Sequence, residues 1–255
     1  MNDRKWTTEN IPSLKGKVAI VTGANSGLGF HTSKALAQKD ATVIMACRNI
    51  EKGETAGKDI LTAVTGAKLV VMELDLADLN LVRKFSEAFR NNYDRLDLLI
   101  NNAGLMSIPY HKTADGFEMQ FGVNHLGHFA LTGLLFDLLK KTKGSRIINV
   151  SSAAYRLGNI RFDDLNWEKG YRKLRAYGMS KLANLLFTKE LVRRANGELK
   201  NITVAAAHPG YADTELQSKG AEMRGFKLGA KMFRLANKIA AQSGEMGALP
   251  ILYAA

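Results

Sequence analysis

With 255 residues, 46% of them apolar and 24% charged, the chain has the make-up of an ordinary globular protein rather than a disordered or fibrous one. Its one cysteine, Cys47, excludes an intrachain disulfide and suits a reducing, cytoplasmic setting. The opening stretch MNDRKWTTENIPSLKGK lacks the apolar core of a secretory signal, and the most apolar run, 129–139, is too short for a membrane span and contains Asp137. The formal charge of +12 points to an anionic partner. No basic run is interleaved with aromatics as a stacking platform for nucleic acid requires, which leaves an anionic cofactor and an anionic membrane surface.

In chain order, a nearly all-apolar run at 17–22 predicts the first strand. Thr22-Gly23-Ala24-Asn25-Ser26-Gly27-Leu28-Gly29 follows, and a helix is predicted over 28–39. The glycines allow a tight turn, close backbone approach to a pyrophosphate, and tight helix–strand packing. A pyrophosphate at that helix start would meet free N–H groups and the positive end of the helix dipole. The spacing is GxxxGxG rather than GxGxxG, and an ordinary glycine turn is the competing reading. The second strand, 41–46, leads into Cys47-Arg48. An acid at this point would bind a ribose 2′-hydroxyl; Arg48 in its place fits a 2′-phosphate and selects NADP(H).

Further strands are predicted at 67–74, 96–101, 145–151 and 201–207, and helices at 79–92, 118–141 and 174–195. This alternation predicts an α/β fold: one domain over 1–255, with a Rossmann-type, doubly wound parallel sheet and helices on both faces. Two stretches interrupt it. The polar segment 153–173 reads as a long loop on the catalytic edge, and 211–242 as a helical excursion after the sixth strand. Insertions at the carboxyl ends of such strands shape the ligand crevice. Within the excursion, Leu228, Met232, Leu235 and Ile239 form an apolar stripe beside Lys227, Lys231, Arg234 and Lys238. A stripe of this kind packs on a core as a lid or lies on an anionic membrane surface.

Tyr177 and Lys181 stand four apart at the start of a predicted helix and share one face. A free phenol, with a pKa of about 10, is a poor base at neutral pH. An ammonium one turn away favours the phenolate and brings the phenol into working range. Ser152, closing the fifth strand, is placed to hydrogen-bond a substrate oxygen. His125 and His128 form an HxxH without the carboxylate partner of a zinc site, so no metal is expected. His208, before Pro209, reads as a backbone-positioning residue, and Trp6 and Trp167, in polar surroundings, as surface packing.

Together these pieces resemble the short-chain dehydrogenase/reductase family along essentially the whole chain. The matching motifs, in the family's order, begin with the glycine loop, Asp75 of LDLADL and Asn101-Asn102-Ala103-Gly104. Asn124 in VNHLGHF, Ser151-Ser152, Tyr177-Gly178-Met179-Ser180-Lys181, and His208-Pro209-Gly210 followed by Thr214 complete them. ACRN, NHLGHF, DDLNWEKGYRK and AYGMSKLANLLF are most similar to the retinol dehydrogenase-like and protochlorophyllide reductase-like branch. The resemblance implies Tyr177 as general acid/base, Lys181 as the group that lowers its pKa and holds the nicotinamide ribose, and Ser152 as the group that orients the carbonyl. Asn124 would support the proton relay to Lys181. Asp75 would meet the adenine, Asn102 and Ala103 the adenosine ribose side, and Thr214 the carboxamide. Leu76, Gly104, Pro209 and Gly210, in the same motifs, complete the expected cofactor set with Gly23, Asn25, Ser26, Gly27, Leu28, Gly29 and Arg48.

The expected activity is therefore interconversion of a small, lipophilic alcohol with its aldehyde or ketone, using NADP(H). The chain departs from the family at Ala212, where a β-branched residue is usual, and at Leu252-Tyr253-Ala254-Ala255, where relatives continue into a further strand and tail. Truncation, with loss of that strand, is expected. An unpaired sixth strand would invite pairing between subunits, so a homo-oligomer is a further expectation. Two rival readings are a non-catalytic NADP-binding scaffold or sensor and a nucleotide-sugar epimerase or dehydratase. The first has no need of Asn124, Ser152, Tyr177 and Lys181 together; the second resembles TGxxGxxG and carries a larger substrate domain.

Overall fold

The computed structural model of the chain describes residues 6–195, 201–210 and 243–255. Its strands are β1 (Val18–Thr22), β2 (Thr42–Cys47), β3 (Lys68–Glu73), β4 (Leu98–Asn101), β5 (Ser145–Val150) and β6 (Ile202–Ala207). They form one six-stranded sheet in the order β3-β2-β1-β4-β5-β6, parallel throughout. The helices are α1 (Gly27–Gln38), α2 (Ile50–Ala63), α3 (Leu79–Asn92), α4 (Met119–Phe121), α5 (Gly127–Lys141), α6 (Lys173–Ala195) and α7 (Gly244–Ala254). All six predicted strands are present, and the doubly wound parallel sheet is the fold expected from them.

Alternating side chains of the central strands divide the core in two. Ala19 and Val21 of β1 and Val43 and Met45 of β2 pack on one face with Leu36 of α1, Ile60 of α2 and Ile251 of α7. Ile20 and Ile44 point to the other face, against Phe85 and Phe89 of α3 and Leu131 and Leu135 of α5. Period-2 alternation between two apolar faces accounts for strands with no polar side. The strand order reverses between β1 and β4, so their carboxyl-end loops splay apart and open a crevice.

Two expectations are corrected here. The helix predicted over 118–141 is broken: a π-turn over Gly122–Leu126 separates α4 from α5, closed by the Gly127 N–H on the Gly122 carbonyl. The two glycines are the physical reason. A Cβ on Gly127 would collide with the Leu76 backbone, and one on Gly122 with the Thr113 side chain, so these bare positions let the turn press in close. Trp167 is also not surface packing. It is 5% exposed, in a small third core with Phe121, Ala176 and Met179, and the Arg161 guanidinium lies 4.5 Å from its ring centre. Trp6 is partly buried against Tyr253, ring edge to face at 5.4 Å. The segment 153–173 opens with a 3-10 turn, Ala153–Leu157, and is otherwise irregular, as expected. Among the described residues no helix is long and apolar enough to cross a membrane.

Candidate functional site

A cleft of about 610 Å³ runs across the carboxyl ends of the central strands. Gly23, Asn25, Ser26, Gly27, Leu28, Arg48, Asp75, Leu76, Asn102, Ala103, Gly104, Ser152, Tyr177, Lys181, Pro209 and Gly210 all line it. The structure thus brings together residues as distant as 23 and 210 in sequence. Gly29 lies behind the wall, where it has its own reason to be glycine: a Cβ there would overlap the Gly23 carbonyl. Asn124 also sits behind the wall rather than in it. Thr214, Ala212 and the paired stripes at 226–241 lie outside the described residues.

At one end, the turn after β1 is stitched to the loop after β4. Thr22 Oγ1 accepts the N–H groups of Asn102 and Ala103, each at 2.9 Å, and Asn102 Nδ2 donates to the Thr22 carbonyl at 2.8 Å. Gly23 adopts φ +65°, open to glycine at no cost, and a Cβ there would meet Ala103 at 3.1 Å. The start of α1 is uncapped: the Ser26 side chain makes no capping hydrogen bond, whereas α2, α3 and α7 are capped by Asn49, Asp78 and Ser243. Helix N-termini leave backbone N–H groups without an internal partner, and this one faces the cleft.

The cations at the same end are Arg48 and Lys52, both exposed, both lining the cleft and neither in an ion pair among the described residues. Lys52 was not anticipated from sequence. The signal was present: Asn49, a good N-cap residue, caps α2 by accepting the Lys52 N–H at 2.8 Å and so puts Lys52 in its first turn, on the cleft. Asp75 Oδ1 accepts the Ala77 N–H at 2.9 Å, fixing the turn after β3.

At the other end Tyr177 and Lys181, on successive turns of α6, are 4% and 3% exposed. Lys181 Nζ donates to the Val150 carbonyl at 3.0 Å and lies 5.8 Å from the centre of the Tyr177 ring. Burial brings the Lys181 pKa down to about 8. Burial likewise raises that of Tyr177, against a hydrogen bond with the Ser152 side chain that lowers it. Ser152 Oγ also accepts the Ala154 N–H at 3.3 Å, and Ser151 Oγ anchors α6 by donating to the Lys181 carbonyl at 2.9 Å. Leu105, Met106, Val123 and Leu174 add apolar side chains to the lining of the cleft.

Asn124 lies in the π-turn. Its side chain is fully engaged: Oδ1 accepts the Leu105 N–H at 2.7 Å, while Nδ2 donates to the Leu105 carbonyl and to Ser180 Oγ, each at 2.9 Å. Its main-chain carbonyl accepts from Asn184 Nδ2 at 3.1 Å and faces His128 Nδ1 at the same distance. A second clasp was invisible in the sequence. Gln120 Oε1 accepts the Ser107 N–H at 2.6 Å, and Gln120 Nε2 donates to Tyr171 Oη at 2.8 Å and to the Lys173 carbonyl at 3.0 Å. Glu118, fully buried and raised in pKa by that burial, accepts from Tyr171 and from two α4 amides. The clasp ties the 105–108 segment, the 153–173 loop and the start of α6 together. His125 is held by Asn184 Oδ1 at 3.1 Å, and His208 Nδ1 accepts the Gly210 N–H at 3.1 Å, a backbone-positioning contact.

The sequence model of the short chain dehydrogenase family matches residues 17–225, and the chain belongs to that family. It is 51% identical over 211 residues to retinol dehydrogenase 11 of Homo sapiens, covering 83% of this chain and 66% of the relative. It is 52% identical over 205 residues to human retinol dehydrogenase 13, covering 80% of this chain and 61% of that relative. The match thus spans about two thirds or less of those proteins' length. A solved structure, of an uncharacterised protein from Mycobacterium paratuberculosis, superposes with a TM-score of 0.78 at 42% identity, over 98% of this chain and 80% of that one. Of the solved structures that share the fold at lower identity, one from Beutenbergia cavernae (24%) holds NADP and one from Burkholderia phymatum (18%) holds NAD.

Proposed function

We propose that the chain is an NADP(H)-dependent oxidoreductase interconverting a lipophilic alcohol with its aldehyde or ketone. The observation that carries this reading is the meeting, in one cleft, of an uncapped helix N-terminus at one end with Tyr177, Ser152 and Lys181 at the other. The α1 amides fit a pyrophosphate, and Arg48 with Lys52 a 2′-phosphate. Asp75 and Leu76 would receive the adenine, Asn102, Ala103 and Gly104 the ribose side, and Pro209, Gly210 and Thr214 the nicotinamide side. When bound, the nicotinamide supplies or accepts the hydride.

The remaining steps belong to the chain's own residues. Ser152 holds the substrate oxygen beside the Tyr177 hydroxyl, and Tyr177 gives its proton to that oxygen in reduction and recovers it in oxidation. The Lys181 ammonium stabilises the phenolate and gives it a proton that solvent returns to the lysine, and Asn124 supports this relay by holding Leu105 and Ser180 in place rather than by carrying a proton. The apolar side chains in the lining favour a lipophilic substrate. NADP(H) preference favours the reductive direction. Self-association and peripheral contact with an anionic membrane, through the basic stripe of 226–241, belong to the same proposal.

The test is incubation with NADPH or NADH and a panel of lipophilic aldehydes and ketones, followed at the absorbance of the reduced nicotinamide. Consumption with NADPH well above NADH is the expected result. No turnover with any carbonyl would overturn the enzymatic reading, and equal use of the two cofactors would overturn the NADP assignment.

A further inference from the structure

Between the glycine turn and the π-turn lies a buried histidine that the proposed chemistry does not use. His128, in the first turn of α5, is 2% exposed, and both ring nitrogens are engaged. Nδ1 is 3.1 Å from the Asn124 carbonyl oxygen, and Nε2 is 2.9 Å from Thr22 Oγ1. A carbonyl oxygen only accepts, so Nδ1 carries the hydrogen; a neutral ring has one N–H, so Nε2 accepts and the Thr22 hydroxyl donates. The other acceptor within reach of that hydroxyl, the Ile100 carbonyl, is more distant at 3.4 Å. Thr22 Oγ1 then has its lone pairs free for Asn102 and Ala103, whose N–H groups it accepts at 2.9 Å. Burial, helped by the nearby Lys181, outweighs the hydrogen bond to Asn124 and brings the His128 pKa down to about 3, so the ring stays neutral at physiological pH. The hydrogen bonds therefore run in one direction from the cleft-lining Asn102–Ala103 amides, through Thr22 and His128, to the Asn124 carbonyl.

We propose that His128 is a positioning residue: in its Nδ1–H tautomer it fixes the Thr22 hydroxyl on one side and the Asn124 carbonyl on the other, so the cofactor loop and the proton relay share one alignment. The inference rests on the roles proposed above for the cleft and for Asn124.

Two substitutions separate the two arms. H128N keeps a donor for Asn124 and removes the acceptor for Thr22; H128Q keeps an acceptor directed at Thr22 and removes the donor. H128N should raise the KM for NADPH about tenfold with a smaller effect on kcat, and H128Q should lower kcat about tenfold with a smaller effect on that KM. A purely structural role would move both parameters together in both variants, alongside Tm, and would overturn the proposal. The nitrogen NMR signals of the unmodified protein give a second test that needs no variant. Protonated Nδ1 and unprotonated Nε2 should persist down to about pH 5, and the opposite tautomer, or protonation above that pH, overturns the inference even if neither variant folds. Tyr177→Phe separates this inference from the reading beneath it. Turnover retained in Tyr177→Phe sinks the acid/base chemistry, whereas an inactive Tyr177→Phe beside unaltered H128N and H128Q sinks only the role of His128.

Discussion

At one end of the cleft Arg48 and Lys52 hold their charges in water, while at the other Lys181 is 3% exposed with its ammonium on the Val150 carbonyl. Exposed cations act on an anion through a high dielectric that salt screens within about 8–10 Å. A buried cation is not screened, but its charge is conditional, because burial moves its pKa. On the proposed function, selection between cofactors lies where it responds to ionic strength, and proton chemistry where it responds to pH. Lys181 near 8 and a Tyr177 raised by burial describe a pair awaiting a further charge in the cleft before the phenol is useful as a base.

The comparison is broken most severely by Tyr177→Phe. Turnover should fall by about 100- to 10,000-fold, the usual worth of a positioned acid/base, while NADPH affinity, measured by fluorescence titration, stays within a few-fold. Lys181→Ala should differ by weakening NADPH as well, since the proposed function gives it both a chemical and a binding role. Next in size is Arg48→Asp. Replacing a charge-assisted hydrogen bond, worth about 1.5–3 kcal/mol, by a repulsion should reverse the ratio of kcat/KM for NADPH and NADH. Lys52→Ala should lower that ratio by a smaller factor, and both effects should shrink as salt is raised; salt-independent ratios would show that the discrimination lies elsewhere.

Much of this site is legible in the sequence because its key spacings are local. The four-residue separation of Tyr177 and Lys181 is one helical turn, and the glycine loop lies within eight residues of one strand–helix junction. What is not legible is held by long-range contacts. Gln120 acquires its meaning from Tyr171 and Lys173, His128 from Thr22, and Trp167 its burial from α4 and α6. The π-turn is hidden for another reason: VNHLGHF keeps a helical composition, and only the packing of Gly127 against Leu76 shows why the turn widens there. Lys52 stands between these cases, since its cap was readable and its direction into the cleft was not.

The smallest expected effect sharpens the comparison at its buried end. Lys181 titrates near 8 in the folded, cofactor-free protein and at about 10.4 in an unfolded chain. Between those values the unfolded state binds more protons, so this residue makes stability rise with pH across that window, and the benefit is lost as pH falls through about 8. Urea midpoints should rise more between about pH 7.5 and 9, where free phenols stay largely protonated, for the unmodified protein than for Lys181→Met. Parallel changes in the two proteins would mean that the ammonium is hydrated rather than buried.

Cys47 closes β2 directly beneath the glycine turn, and it is the chain's one cysteine. Burial pushes its thiol pKa up to about 11, against the opposing pull of the Ala24 and Asn25 amides aimed at the sulfur. A thiol so protonated and enclosed does not react while those amides stay in place. Alkylation of the native protein therefore reports transient departures of the turn from the strand, a clock built into the glycine turn. Its rate, read by mass spectrometry without any added label, counts local openings, and ligands that occupy the loop slow it in proportion to their occupancy.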